Sequence, residues 1–161
     1  MKKEIGDLLT NGLVQGYAGK EIGNVERSGV QGKVSHIEFP EGVYHDEWFV
    51  PHHLGGGQEL VQVGEDQFTR LYAGGTPDPK ILEALGLTQK DVGRYLKRKI
   101  VELGDRTRLF VDCNLEADEE WQYDYKITSQ NKEIPITTSL ESITFKGNLV
   151  HIHAFIFCPL K

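Results

Sequence analysis

The stretch Glu141–Ile156, ESITFKGNLVHIHAFI, alternates apolar and polar residues on either side of Gly147-Asn148. Alternation of period two marks a strand with one buried face, and a Gly-Asn pair between two such runs predicts a two-residue hairpin turn. With that turn Phe145 stands opposite Val150, Ile143 opposite Ile152 and Glu141 opposite Ala154. Successive side chains point to opposite faces. Glu141 therefore shares a face with Ile143, Phe145, Val150, Ile152 and Ile156, while Ser142, Thr144, His151 and His153 fall on the other. An acid stands in a row of apolar residues.

The same happens earlier in ELVQVGEDQFTRLYAG, Glu59–Gly74, which turns at GEDQ. Pairing Val63 with Phe68 sets Glu59 opposite Tyr72 and Val61 opposite Arg70, with Glu59 and Arg70 as diagonal neighbours. Glu141 lies 82 positions after Glu59, and with that offset Val61 falls on Ile143, Val63 on Phe145 and Phe68 on Val150. An aromatic strand precedes each hairpin: Tyr44, Asp46 and Trp48 before the first, Trp121, Tyr123 and Tyr125 before the second. Such internal similarity predicts one domain, residues 1–161, built from half-repeats of about 1–76 and 77–161.

The rest of the chain fits that plan. Ile5, Leu8, Leu9 and Leu13 recur at helical spacing and predict a helix over about 3–16. The glycine-scattered GKEIGNVERSGVQGK reads as a loop. Strands are expected at 33–39, 43–50, 58–63 and 67–73. TPDPKILEALG offers Asp78 as a cap and Pro79 at a first helical position, and Thr88 with Asp91 resembles a capping box. Val92, Tyr95, Leu96, Ile100 and Leu103 then form one apolar stripe. Strands are expected again at 107–115, 120–128, 136–145 and 149–157. The expected fold is α+β: two pseudo-symmetric helix-plus-four-strand halves forming a twisted antiparallel sheet, or a partly closed barrel, packed on two helices.

Composition narrows the function classes. A 161-residue chain of formal charge −6, without a basic arm, is poorly suited to phosphate neutralisation, so no nucleic-acid partner is expected. No apolar run approaches the roughly 20 residues of a membrane span, so no membrane partner is expected either. Glu4 and Asp7 interrupt the N-terminal apolar run, unlike a signal peptide. Cys113 and Cys158 sit in strand-like runs without a CxxC pair, which predicts reduced thiols and a cytoplasmic location.

A carboxylate on an apolar face must be paired, hydrogen-bonded or protonated. In one reading each glutamate lies near a strand end, Glu59 pairing with Arg70 and Glu141 with a tyrosine hydroxyl. In another, both acids face one cleft and, with Tyr44, Trp48, Arg70, Tyr72, Tyr123 and Tyr125, line a ligand-binding pocket, since aromatic walls and acids suit a small polar or cationic ligand. In a third, one glutamate is a general acid or base. His151 and His153 have chelating spacing, but their face also carries Ser142 and Thr144 and reads as solvated. A third ligand would have to come from His36, His45, His52, His53 or an acid, and no metal or other cofactor is expected. LGGG at 54–57 lacks the lysine and the following helix of a phosphate loop.

The runs YHDEW, GGGQELV and FTRLYAGG, with LESITFKGNLVHIHAF, resemble an uncharacterised bacterial domain of unknown function. In that family a Tyr-x-Asp-aromatic strand leads to a Gly-x-Glu hairpin, a Tyr-x-Gly ending and a closing Glu-x-Ile segment. Tyr44, Asp46, Glu59, Tyr72 and Glu141 are the positions that fit, over about residues 9–157. Members are sometimes fused behind helix-turn-helix regulators, so the resemblance implies a sensory or ligand-binding role. The expected function is a small-molecule-binding module, sensory or sequestering, with an aromatic and acidic cleft. The alternatives are a protein-interaction module, of inhibitor or immunity type, with an acidic surface, and a small hydrolase or isomerase using a glutamate. Open sheet edges leave room for a homodimer.

Overall fold

The computed structural model describes residues 3–115 and 117–160. Helix α1, Lys3–Gln15, buries Ile5, Leu8, Leu9 and Leu13 on one face. At about 1.5–3 kcal/mol for each fully buried aliphatic side chain, this stripe fixes the helix on the sheet. Five strands follow: β1 Gly23–Arg27, β2 Val30–Phe39, β3 Gly42–Phe49, β4 Leu54–Val63 and β5 Asp66–Gly75. The short α2, Pro79–Ala84, is capped by the Asp78 carboxylate, which accepts from the Lys80 N–H. Helix α3, Gln89–Leu103, starts from a complete capping box between Thr88 and Asp91. After it come β6 Cys113–Asn114, β7 Trp121–Gln130, β8 Thr137–Phe145 and β9 Asn148–Pro159.

The nine strands form one antiparallel sheet in the order β1-β2-β3-β4-β5-β9-β8-β7-β6. It stays open, with β1 and β6 as its edges, so the barrel alternative does not apply. The α+β class holds, with three α-helices among the described residues where two were expected. One sheet face carries the core with α1 and α3; Tyr95 of α3 stacks on Trp121 of β7 at 4.6 Å between ring centroids. The other face exposes Leu71, Leu140, Ile152 and Ile156 on the adjacent strands β5, β9 and β8. Among the described residues no helix is long and apolar enough to cross a membrane. Cys113 and Cys158 are both free.

Two expected boundaries move. The segment read as a loop contains β1, which pairs with β2 through Val25 and Gly32. Residues 107–112, expected as strand, run irregularly, and only Cys113 and Asn114 join the sheet there. The cause is the use of backbone carbonyls by side chains: Arg70 Nη1 donates to the Arg108 carbonyl at 2.5 Å, and the Tyr125 hydroxyl donates to the Leu109 carbonyl at 2.6 Å.

Both hairpin registers also differ from expectation. In the first, Val63 pairs with Asp66, so Glu59 lies directly opposite Arg70 and Val61 opposite Phe68. The shift is by an even number of residues and leaves every face as expected. In the second, the turn is Lys146-Gly147, with φ of 50° and 75°, and Phe145 pairs with Asn148. A bulge then makes Thr144 oppose Leu149 but Ile143 oppose His151. Val150 and His151 are consecutively buried, and the parity of the rest of β9 reverses. His151, His153, Phe155 and Phe157 therefore face inward with Glu141, and Ile152 and Ile156 face out. This corrects the expected face of His151, His153, Ile152 and Ile156, while Glu141 faces inward as expected.

Close approach of α1 to the sheet is made at Gly12, where an added Cβ would stand 2.1 Å from Cγ of Tyr44. At Gly93 of α3 the same atom would meet nothing within 4 Å. Alanine is favoured over glycine in a helix by about 1 kcal/mol, but overpacking costs about 1–3 kcal/mol. Gly12→Ala is therefore expected to lower the unfolding free energy and Gly93→Ala to raise it, as read by chemical denaturation. A gain from Gly12→Ala would contradict the tight contact with Tyr44.

Candidate functional site

Inward parity on β3, β4, β5, β8 and β9 collects polar groups on one sheet face. Asp46, Glu59, Arg70, Arg108 and Glu141 are all at most 5% exposed. The Glu59 carboxylate accepts from Arg70 Nε, from Arg70 Nη2 at 2.5 Å and from the Tyr44 hydroxyl at 2.8 Å. The Glu141 carboxylate accepts from Arg108 Nε at 2.7 Å, Arg108 Nη2 at 2.6 Å and the Tyr123 hydroxyl at 2.6 Å. Arg108 reaches inward from a left-handed backbone, φ 55°, and its guanidinium carbon lies 5.2 Å from the Phe155 ring centroid. Two bidentate pairs, each with a tyrosine donor, thus stand side by side, joined where Arg70 donates to the Arg108 carbonyl.

Above this layer lies a cavity of about 200 Å³. Its roof is Leu13 and Tyr17 from the α1 end and Gln89, Val92, Gly93 and Leu96 from α3. Its floor includes Asp46, Trp48, Glu59, Tyr72, Arg108, His151 and His153, with Gly55, Gly56, Gly74 and Gly75 at one side. Gly74 adopts φ 154°, and a Cβ there would stand 2.7 Å from Cδ2 of His153 and 1.9 Å from the Ile152 carbonyl oxygen. Glycine at that position is what lets the His153 ring lie against β5.

Of the residues expected to bind ligand, Glu59, Trp48 and Tyr72 line the cavity. Tyr44, Arg70, Glu141, Tyr123 and Tyr125 are buried behind it, the first four within the two ion-pair clusters and Tyr125 on the Leu109 carbonyl. Asp46, Arg108, His151 and His153, which lie outside the expected ligand set, also border the cavity. Asp46 is legible in the sequence, because it alternates with Tyr44 and Trp48 on one strand and fits the resembled family's pattern. Arg108 could not be placed from a segment that reads as a regular strand, and the histidines were put on the wrong face by the hidden bulge.

The electrostatics follow from the pairing. Burial pushes the Glu141 carboxyl up, but the Arg108 guanidinium and contacts from His151 and His153 outweigh it and hold it well below the usual carboxylate range. Burial pushes the His153 imidazole down to about 4 despite Glu141, so the ring is neutral near pH 7. Asp46 has no guanidinium of its own. Its carboxyl accepts from the Tyr72 hydroxyl at 2.9 Å, while burial and the nearby Glu59 charge push its pKa well above the usual range. Three buried acids thus face two guanidinium groups, and Asp46 is the acid left over.

No protein-family model, curated protein or solved structure matches the chain.

Removing one partner from a buried ion pair costs about 3–5 kcal/mol, because the other charge stays behind. Glu141→Gln is expected to lose stability in that range by denaturant titration, and Arg108→Met with Glu141→Met together to recover most of it. Equal losses in the single and double variants would mean that the pair is not coupled as the geometry requires.

Proposed function

We propose that the chain is a small-molecule-binding module whose ligand occupies the cavity between the helices and the sheet. What carries the reading is the leftover acid: Asp46 is 1% exposed, borders the cavity and, among the described residues, has no cationic side chain paired with it. A buried carboxyl in that state is a cost to the free protein. A ligand that donates a hydrogen bond to it, such as an alcohol or an amine, relieves that cost. Leu13, Trp48, Val92 and Leu96 supply apolar walls around it, with Tyr17 edge-on to Trp48 at 5.9 Å between centroids. A polar head on Asp46 and a compact apolar body describe the ligand that fits. The chain would serve as a sensor or a sequestering protein in the cytoplasm.

The same proposal includes a doubled origin for the fold. The order β2-β3-β4-β5 is mirrored by β6-β7-β8-β9 about the β5–β9 pairing, and a tyrosine donates to a glutamate in each half. The arginines break the likeness, since Arg70 comes from a strand and Arg108 from an irregular segment.

A second reading, an interaction module acting as a homodimer, is favoured by the exposed Leu71, Leu140, Ile152 and Ile156 on the outer face. Sedimentation showing a monomer for both the natural chain and an Ile156→Lys variant would remove it.

Asp46→Asn tests the main reading. The folded pKa of Asp46 lies above its unfolded value, so between the two the folded chain holds a proton that the unfolded chain has released. Its stabilising contribution is complete below the unfolded pKa and is lost as pH rises through the folded one. Asp46→Asn removes that loss, so the variant is expected to melt higher than the natural chain at neutral and alkaline pH. In a thermal-shift screen of small amphiphilic alcohols and amines, ligands that raise the melting temperature of the natural chain should not raise that of Asp46→Asn. A screen in which both proteins respond alike, or neither responds, would refute the proposal.

A further inference from the structure

His151 and His153 of β9 and Glu141 of β8 bring three metal-ligating atoms together. His151 Nε2 lies 3.2 Å from His153 Nδ1, His153 Nδ1 lies 3.3 Å from Glu141 Oε2, and His151 Nε2 lies 3.6 Å from the same oxygen. These are the three edges of one triangle. A tetrahedral ion with bonds of about 2.0–2.1 Å separates its ligand atoms by about 3.3–3.4 Å. We propose that Glu141 Oε2, His151 Nε2 and His153 Nδ1 bind a zinc-class divalent cation whose open position faces the cavity.

Hydrogen bonding alone serves this triangle poorly. Neutral imidazole carries one ring proton. With one proton inside the triangle, at least one edge is left as two facing lone pairs. With a proton on each of the two nitrogens, N–H faces N–H across 3.2 Å. A cation satisfies all three edges at once. The donor set of two imidazoles and a carboxylate is that of catalytic zinc and related first-row ions.

The surroundings act as an outer shell. Arg108 and Tyr123 hold the Glu141 carboxylate in place, as hydrogen-bonded ligating carboxylates are held elsewhere. Gly74 and the rings of Tyr72 and Phe155, at 5.8 and 5.9 Å between centroids, fix His153. Arg108 opposes an added cation, and the Glu141 carboxylate it pairs with supplies the compensating negative charge. Both histidines line the cavity, so water or a ligand oxygen can complete the coordination from that side.

The test uses metal alone and no organic ligand, and so is separate from the Asp46 reading. Protein stripped with chelator is titrated with zinc by calorimetry and with cobalt(II) by its visible absorption. One equivalent is expected to bind, with tetrahedral cobalt bands and a raised melting temperature. His151→Gln and His153→Gln, checked for folding by circular dichroism, should weaken binding by more than the roughly 10–100-fold that loss of an outer-shell partner costs. His36 and His45 form an exposed pair with Nδ1 atoms 3.2 Å apart and are the competing surface site. Replacing both with Ala should leave the stoichiometry at one. Binding that survives in folded His151→Gln and His153→Gln, that disappears with the surface pair, or that is absent from the natural chain, overturns the proposal. Asp46→Asn should still bind one equivalent while losing the response to alcohols and amines, so either idea can fail without the other.

Discussion

The two buried glutamate–arginine pairs are the constraint to which the rest of the molecule is fitted. A bare carboxylate inside a protein is too costly to persist, so Glu59 and Glu141 can be inward only because Arg70 and Arg108 are inward too. Arg70 is the link. Its Nε and Nη2 serve Glu59, and its Nη1 serves the carbonyl of Arg108. That one contact ties β4 and β5 to the segment that delivers the second guanidinium. Residues 107–112 run irregularly, with the carbonyls of Arg108 and Leu109 taken by Arg70 and Tyr125. The short β6 follows from the same requirement. Such a network adds little net stability over an apolar core of equal volume, yet it tolerates few alternative arrangements.

The cavity is a consequence of that network. Leu8, Leu9 and Leu13 of α1 and Val92, Leu96 and Ile100 of α3 seek apolar cover. They find it around the charged layer. Over the layer itself, helix side chains would have to bury the Asp46 carboxyl without a cation beside it and the histidine edges. The space left between the α1 end and the first turns of α3 is therefore polar below and apolar at its sides, with Gly93 adding no side chain to the roof.

Much of this was legible in the sequence because parity is robust. An even register error in the first hairpin moved partners but not faces, so Glu59 beside Arg70 was readable. The second hairpin was read one residue off at its turn, since Gly147-Asn148 carries the stronger turn signal than Lys146-Gly147, which in fact holds both left-handed positions. The bulge opposite Ile143 and Thr144 leaves no mark in a pattern of alternating residues, and it decides that His151 and His153 meet Glu141 instead of water. The helices were legible because their stripes and caps are local. Arg108 was not, because its partner lies 33 residues away and its left-handed backbone has no glycine to announce it.

Asp46 and the histidine–glutamate triangle belong to one electrostatic unit. Arg108 acts on Asp46, and Glu141 and Asp46 both act on Tyr17 across the cavity. The proposed cation on Glu141 would draw carboxylate density from Arg108, and its positive charge would favour the ionised form of Asp46. Ionised Asp46 in turn deepens the negative potential that holds the cation. Linkage makes the two effects equal in free energy. A head group that neutralises Asp46 by bringing its own positive charge would weaken the cation, whereas a neutral alcohol would leave it in place. If the triangle is filled as proposed, a neutral donor is the ligand head group that both parts of the site would accept together.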